Sequence, residues 1–449
     1  MRDLPFNNEN FLSFPGIVRA TIFLFLLASM GFSGAFTTEK IVLLGASVAL
    51  SIIYLLSQLK EIKAGGIPNL ALVYIIFSWS FLNGFHNGYV LSGTIFEFYL
   101  VTPFVAYLLG SVFKSQSDVS RLFDFIIWVH IIILALNVVF IFNTVANLQI
   151  ALFDHPMWQR IYIGEDRVQF RNSTHTALMF TAPVFVSWFF LRSQKNKKFF
   201  FGFVFFLTIL IVIVSGRRAL QVVVPLALLL SVLGHSLGGG AVRLKYLGFI
   251  CVVAVSALLV LPTILGVEDA IANTFQNFMD AFGNASRGAS VRSVQIQNFL
   301  VGIEQAPFFG QGAHSYLRDY LRSDTGGYSY ELVYLAFLYQ VGLVPSAVLL
   351  LMLFGYFVFM VKLAVSSTDS MSERYISFII GSTCFFIAGA TNPLLYSVWF
   401  WVLLVAFANT DQTKIVFTST DSFIRRHMRL AIIRPAIRAR VNYHRNKPR

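Results

Sequence analysis

Charge is scarce in this sequence. Asp, Glu, Lys and Arg make up 12% of 449 residues, while 57% are hydrophobic and the mean hydropathy is +0.71. So few ionic groups cannot clothe a soluble domain of this size, so the composition excludes a soluble globular chain and puts the protein in lipid. Cysteine is nearly absent. Cys251 and Cys384 are the only two, and both lie inside apolar runs, which excludes a disulfide framework and a thiolate metal site. Acidic residues are outnumbered 21 to 34 by Lys and Arg. In a soluble protein that excess would point to nucleic acid, but in a membrane protein it collects on cytoplasmic loops, so nucleic acid is not an expected partner. Asp3 and Glu9 precede the first apolar run, unlike the basic opening of a cleaved signal peptide, so the first helix is expected to be retained. Tandem repeats and low-complexity tracts are also missing.

What the sequence has in abundance is apolar runs long enough to span lipid. They begin near Gly16, Ile41, Pro68, Leu91, Leu122, His175, Phe199, Ala219, Tyr246, Glu331, Tyr375 and Pro393. They predict an all-α polytopic membrane protein with about twelve transmembrane helices and a large, partly helical periplasmic loop. With the N-terminus inside, Lys60 with Lys63, Lys114 with Arg121, the Arg192 to Lys198 cluster, Arg243 with Lys245, and Lys362 with Arg374 all fall on cytoplasmic loops. The chain then divides into residues 1–265, carrying helices one to nine and a smaller external loop over 143–174; 266–329, the large external loop; 330–408, helices ten to twelve; and 409–449, a basic cytoplasmic tail. Ile271, Phe275, Phe278, Met279 and Phe282 form an apolar stripe at helical spacing, expected to lie on the outer interface. Phe423 to Val441 alternates apolar residues with arginines and reads as an amphipathic anchor on anionic membrane lipids.

Few residues outside this apolar background carry chemistry. Ser215-Gly216-Arg217-Arg218 falls at the outer end of the seventh run, where two arginines run against the positive-inside bias. They read either as a forked pair binding a phosphate or pyrophosphate or as side chains snorkelling to lipid headgroups. Arg287, Arg292, Arg318 and Arg322 come from the large loop, and Arg167 and Arg171 from the smaller one. Singly each reads as a solvated surface charge; together they suggest an anion. Neither loop holds an Asp-x-Asp, a His-x-x-x-His or a Cys pair, so metal-assisted chemistry has no support and no cofactor is expected. Ionisable groups at membrane depth are costly, which singles out Glu97, about two turns below the outer end of the fourth run, and Glu331, which opens the tenth. A carboxylate partly shielded at such a depth can act as a general base on a sugar hydroxyl. Set against that, Glu97 reads as half of an internal ion pair and Glu331 as a helix-start acid favoured by the macrodipole. His130 reads as a core group, while His314, in the turn Gly310-Gln311-Gly312-Ala313-His314, is better placed for chemistry.

The segment from Arg292 through Pro307, Gly310 and Gly312, followed by Glu331 to Gly342, resembles the signature of the O-antigen ligase and Wzy-type O-antigen polymerase family. Ser215-Gly216-Arg217-Arg218-Ala219 is similar to that family's Ser-x-Ser-Arg element, and Arg167 to His175 to its segment entering the helix after the first large loop. The likeness covers roughly the second half of the chain plus that earlier segment. It implies inverting, metal-independent transfer of an undecaprenyl-pyrophosphate-linked glycan at the periplasmic face of the bacterial inner membrane. Donor and acceptor would both be lipid-linked, and a chain-length regulator would be a partner. It also implies that Arg217, Arg218, Arg292 and Arg287 hold the pyrophosphate, with Glu331 as base. Arg318, Arg322, Arg167, Arg171, His314, Glu97, Tyr328 and Tyr330 are additional candidates. Trp158, Tyr316, Tyr320, Tyr328 and Tyr330 are expected to stack on sugars. The family carries a His-Asn pair where this chain has Glu331 and Leu332, which points away from the ligase, transferring glycan to lipid A core, and toward the polymerase. A transporter or flippase is the alternative of another class. The polar residues gathering at one face, and the lack of similarity between the two halves, count against it.

Overall fold

The computed structural model describes residues 13–33, 35–58, 67–90, 93–155, 157–162, 168–191, 198–237, 287–317, 330, 332–390 and 392–409. Helix dominates, because a segment in lipid must satisfy its backbone polar groups internally. In order these are α1 (Phe14–Gly31), α2 (Thr37–Ser57), α3 (Ile67–His86), α4 (Gly93–Phe96), a π-helical segment (Glu97–Val101), α5 (Thr102–Gly110) and α6 (Gln116–Ala146). After strands β1 (Trp158–Tyr162) and β2 (Val168–Asn172) come α7 (His175–Leu191), α8 (Lys198–Val214), α9 (Arg218–Leu237) and α10 (Arg287–Gln305). The chain continues through α11 (Val333–Val341), α12 (Leu343–Ser366), α13 (Asp369–Gly389) and α14 (Val398–Ala408). Among the described residues, five helices are long and apolar enough to cross a membrane: α1, α2, α3, α6 and α12. Shorter apolar helices are the π-segment with α5, and α7, α8, α9 and α14.

Helices stand at each predicted run except the one near Tyr246, which lies outside the described residues, as do the Ile271 to Phe282 stripe and the tail after Asn409. Three expectations need correction. The run near Leu91 is not one uniform helix, because the π-segment interrupts it. The helix expected to begin at Glu331 is broken at Gly342, whose φ of 86° no helix accepts. And the region 143–174 is not loop throughout: α6 continues to Ala146, and among the described residues β1 pairs antiparallel with β2 from Trp158–Asn172 to Tyr162–Val168. At 31 residues, α6 is roughly 46 Å long against a hydrocarbon core of roughly 30 Å, so it outreaches the bilayer.

Side-chain contacts show which helix ends lie together. Arg19 near the start of α1 pairs with Asp118 at 3.2 Å, and Asp118 completes a capping box with Ser115 at the start of α6. Arg374 of α13 pairs with Asp124 at 3.0 Å, Lys114 donates to Gln58 at 2.9 Å, and Asn409 donates to Ser111 at 3.2 Å. One end of the bundle therefore collects these basic side chains. At the opposite end, Ser33 in the α1–α2 turn donates to the Ser173 carbonyl beside β2 at 2.8 Å. Tyr334 of α11 donates to the Phe386 carbonyl late in α13 at 2.6 Å. The α9 helix runs antiparallel to α13, since Cys384 meets the Val223 carbonyl while Gly234 packs on Ile376 and Ile380. The start of α9 consequently shares the end that holds the hairpin and α11.

The core between them is aromatic. Phe378 stacks on Phe407 at 3.7 Å between centroids, and Phe385 on Phe400 at 4.3 Å. Phe180 meets Phe378, Phe385 and Phe400 edge-on. His130 is a core group, its ring nitrogens bonded to Thr181 at 3.2 Å and Thr208 at 3.0 Å.

Candidate functional site

Breaking a helix at Gly342 orphans backbone groups on both sides of the break, and the segment 306–317 satisfies them. Gln311 and Gly312 donate their N–H groups to the Tyr339 and Gln340 carbonyls that end α11, at 2.8 and 2.9 Å. The Pro307 and Phe308 carbonyls accept from Leu343 and Val344, which begin α12, at 2.9 and 3.1 Å. Gln340 adds its side chain, donating to the Ser315 carbonyl at 3.1 Å and accepting from the Tyr99 hydroxyl at 2.8 Å.

The same segment lies against the last turns of α3. Ala313 N–H donates to the Ser80 carbonyl at 2.8 Å. Asn83 and Asn87, one turn apart, donate to the Gly310 and Gln311 carbonyls at 2.8 and 2.9 Å. Glycine is required for so close an approach. A Cβ on Gly84 would stand 2.0 Å from the Ala313 oxygen, and one on Gly312, at φ 95°, 2.1 Å from the Gly84 nitrogen. His314 is 2% exposed, holds φ 69° and packs edge-on to Phe81 at 4.8 Å. Burial lowers its pKa from 6.5, so its imidazole is neutral at neutral pH.

Beyond this clamp, α10 leans on α11. Gly302 leaves room for the Tyr339 ring, which a Cβ would meet at 2.4 Å, and its carbonyl accepts from the Gln311 side chain at 3.0 Å. Between α10, the end of α3 and the 306–317 segment opens a cleft of about 420 Å³. Asn87, Tyr89, Asn298, Gln305, Gln311 and Tyr316 line it, together with Val301, Gly302, Leu317 and Tyr339. Among the described residues, none of its walls carries a formal charge. Tyr89 and Tyr316 meet edge-to-face at 5.6 Å on its rim.

The arginine turn sits elsewhere on the same end of the bundle. Ser215 donates to the Val212 carbonyl, Gly216 takes φ 58°, Arg217 is half-buried and Arg218 exposed. The α9 helix packs on α7 and α13, whereas α10 packs on α11, so the turn and the cleft share an end without sharing a wall among the described residues.

Of the other residues expected at a site, Glu331, Arg318, Arg322, Tyr328 and Arg167 lie outside the described residues, as do the side chains of Arg171 on β2 and of Arg287 and Arg292 on α10. Glu97 opens the π-segment and is exposed, not partly buried as expected. Tyr330 is inside: its ring packs on Phe299 at 4.8 Å and its hydroxyl accepts from Leu317 N–H at 2.8 Å, so it fastens the segment and offers no open face. Trp158 is buried against Phe140 and Phe153. Tyr316 does reach the cleft. The sequence does not single out Asn83, Asn87, Asn298 and Gln305, and it offers Gln311 only as part of the turn before His314. The signal for the first two was there: amides spaced four apart on the last turn of an apolar run, flanking a glycine. Among the described residues no cluster of potential metal ligands occurs. No known protein family, curated protein or solved structure matches this chain.

Proposed function

We propose that the chain is an O-antigen-type polysaccharide polymerase, a glycosyltransferase of the bacterial inner membrane. In this reading it crosses the bilayer about twelve times and works at the periplasmic face. The observation that carries it is the cleft of amides and tyrosines, without a formal charge among its described walls, at the end of the bundle opposite Arg19, Lys114 and Arg374. An acceptor sugar hydroxyl attacks the anomeric carbon of a second undecaprenyl-pyrophosphate-linked glycan. The new glycosidic C–O bond forms with inversion as the bond to the pyrophosphate oxygen breaks. Glu331 takes the hydroxyl proton, and Arg217, Arg218, Arg292 and Arg287 stabilise the departing pyrophosphate. Glu331 and Leu332, standing where the resembling family carries His-Asn, favour a lipid-linked acceptor over lipid A core.

The test is reconstitution in proteoliposomes with lipid-linked repeat units. Wild type should build polymer, Glu331→Gln should leave single units, and Arg217→Lys with Arg218→Lys should slow transfer because the bidentate fork is lost. Polymer from Glu331→Gln at the wild-type rate would remove the base assignment. No polymer from wild type would remove the reading itself.

A further inference from the structure

Resting on that reading, we infer that the cleft between α3, α10 and the 306–317 segment is a subsite for an uncharged sugar ring of the glycan. Its volume of about 420 Å³ lies within the roughly 300–1,000 Å³ of small-molecule sites. Such sites are usually lined by apolar groups, and this one is mostly polar. A prenyl tail would strip water from the amides of Asn298 and Gln305 and return no hydrogen bond. A carboxylate or phosphate would find no countercharge on the described walls and would bear an unpaired desolvation cost. A sugar hydroxyl both donates and accepts, as does a carboxamide, so a neutral polyol is the solute whose chemistry these walls return group for group. The tyrosine pair supplies the other half of sugar recognition, an aromatic face for the C–H side of a pyranose; Tyr316 is 36% exposed. Asn87 and Gln311 are committed to the clamp through the Gln311 and Gly302 carbonyls. Asn298, Val301 and Gln305 share a face of α10 outside it, and so offer the cleft's variable contacts.

The experiment is saturation-transfer NMR on the full chain in detergent. The probes are trisaccharides of neutral hexoses in several linkages, each matched to one in which a hexose is replaced by a hexuronic acid. Wild type should bind a neutral trisaccharide and bind its acidic counterpart at least about tenfold more weakly. Val301→Trp, at a position 56% exposed, should fill the cleft and abolish binding without disturbing the core. Tyr316→Ala should weaken binding about tenfold and Tyr316→Phe should not. Equal binding of the acidic probe, wild-type binding by Val301→Trp, or no binding of any neutral probe overturns the subsite. Assayed in parallel, wild-type polymerisation by Val301→Trp overturns the subsite and leaves the enzyme. Neutral binding by a wild type that builds no polymer, with that binding blocked by Val301→Trp, overturns the enzyme and leaves the subsite.

Discussion

The aromatic bundle and the glycine clamp are held together by different physics. In the bundle, Phe180, Phe378, Phe385, Phe400 and Phe407 pack ring on ring, and the attraction is spread over many weak, non-directional contacts. In the clamp, the 306–317 segment is held by single hydrogen bonds and by backbones that approach within the space of a missing Cβ. A bundle of the first kind absorbs a changed side chain by repacking. A clamp of the second kind has nowhere to move. One side of the cleft is therefore a backbone wall that tolerates little substitution.

The comparison breaks most visibly at Gly312. Gly312→Val adds both a clash and an unfavourable φ, together about 3 kcal/mol or more, and should open the clamp. Protease cleavage within 306–317 and loss of saccharide binding would show it, while intact binding would mean the approach is soft. Next comes Asn83→Ala, which takes a donor from the Gly310 carbonyl and should cost about 2 kcal/mol, read as faster hydrogen exchange confined to the clamp. Phe407→Leu in the bundle should cost only about 1 kcal/mol through repacking, with no change in clamp exchange. A larger loss there than for Asn83→Ala would reverse the contrast.

The smallest effect is a pH dependence. Because burial lowers the pKa of His314 from 6.5, the opened clamp binds a proton near that value while the closed one does not. Clamp stability is thus fully present above 6.5 and falls as pH drops through 6.5 toward the lowered value. His314→Asn, which tolerates the left-handed backbone, should flatten the clamp's exchange protection between pH 7.5 and 5.5, each rate being taken relative to that of an unprotected amide at the same pH; an unchanged slope in that protection would mean that another group titrates.

Much of the bundle could be read from hydropathy alone, because lipid leaves a long apolar run few alternatives to helix. Arg217 and Arg218 were likewise visible, since two charges out of place stand out against apolar sequence. The clamp was less legible for a physical reason. Gly84 and Gly312 matter through each other, more than 200 residues apart in sequence, and nothing local announces that pairing. Gly342 looked like one glycine in a continuous run because its left-handed φ depends on the segment that caps both flanking helices. Tyr330 was readable as an aromatic near a site, but its hydroxyl's hold on Leu317 appears only in the fold.

The interruption at Gly342 and the cleft are two descriptions of one event. Joined into a single rod, α11 and α12 would reclaim the carbonyls of Tyr339 and Gln340 for their own ladder. The N–H groups of Gln311 and Gly312 would then be released, and with them the cleft wall. An occupant of the cleft therefore pulls toward the interrupted helix by whatever preference it has for that shape. Its grip would be felt along α12, down to the basic end of the bundle, as resistance to straightening.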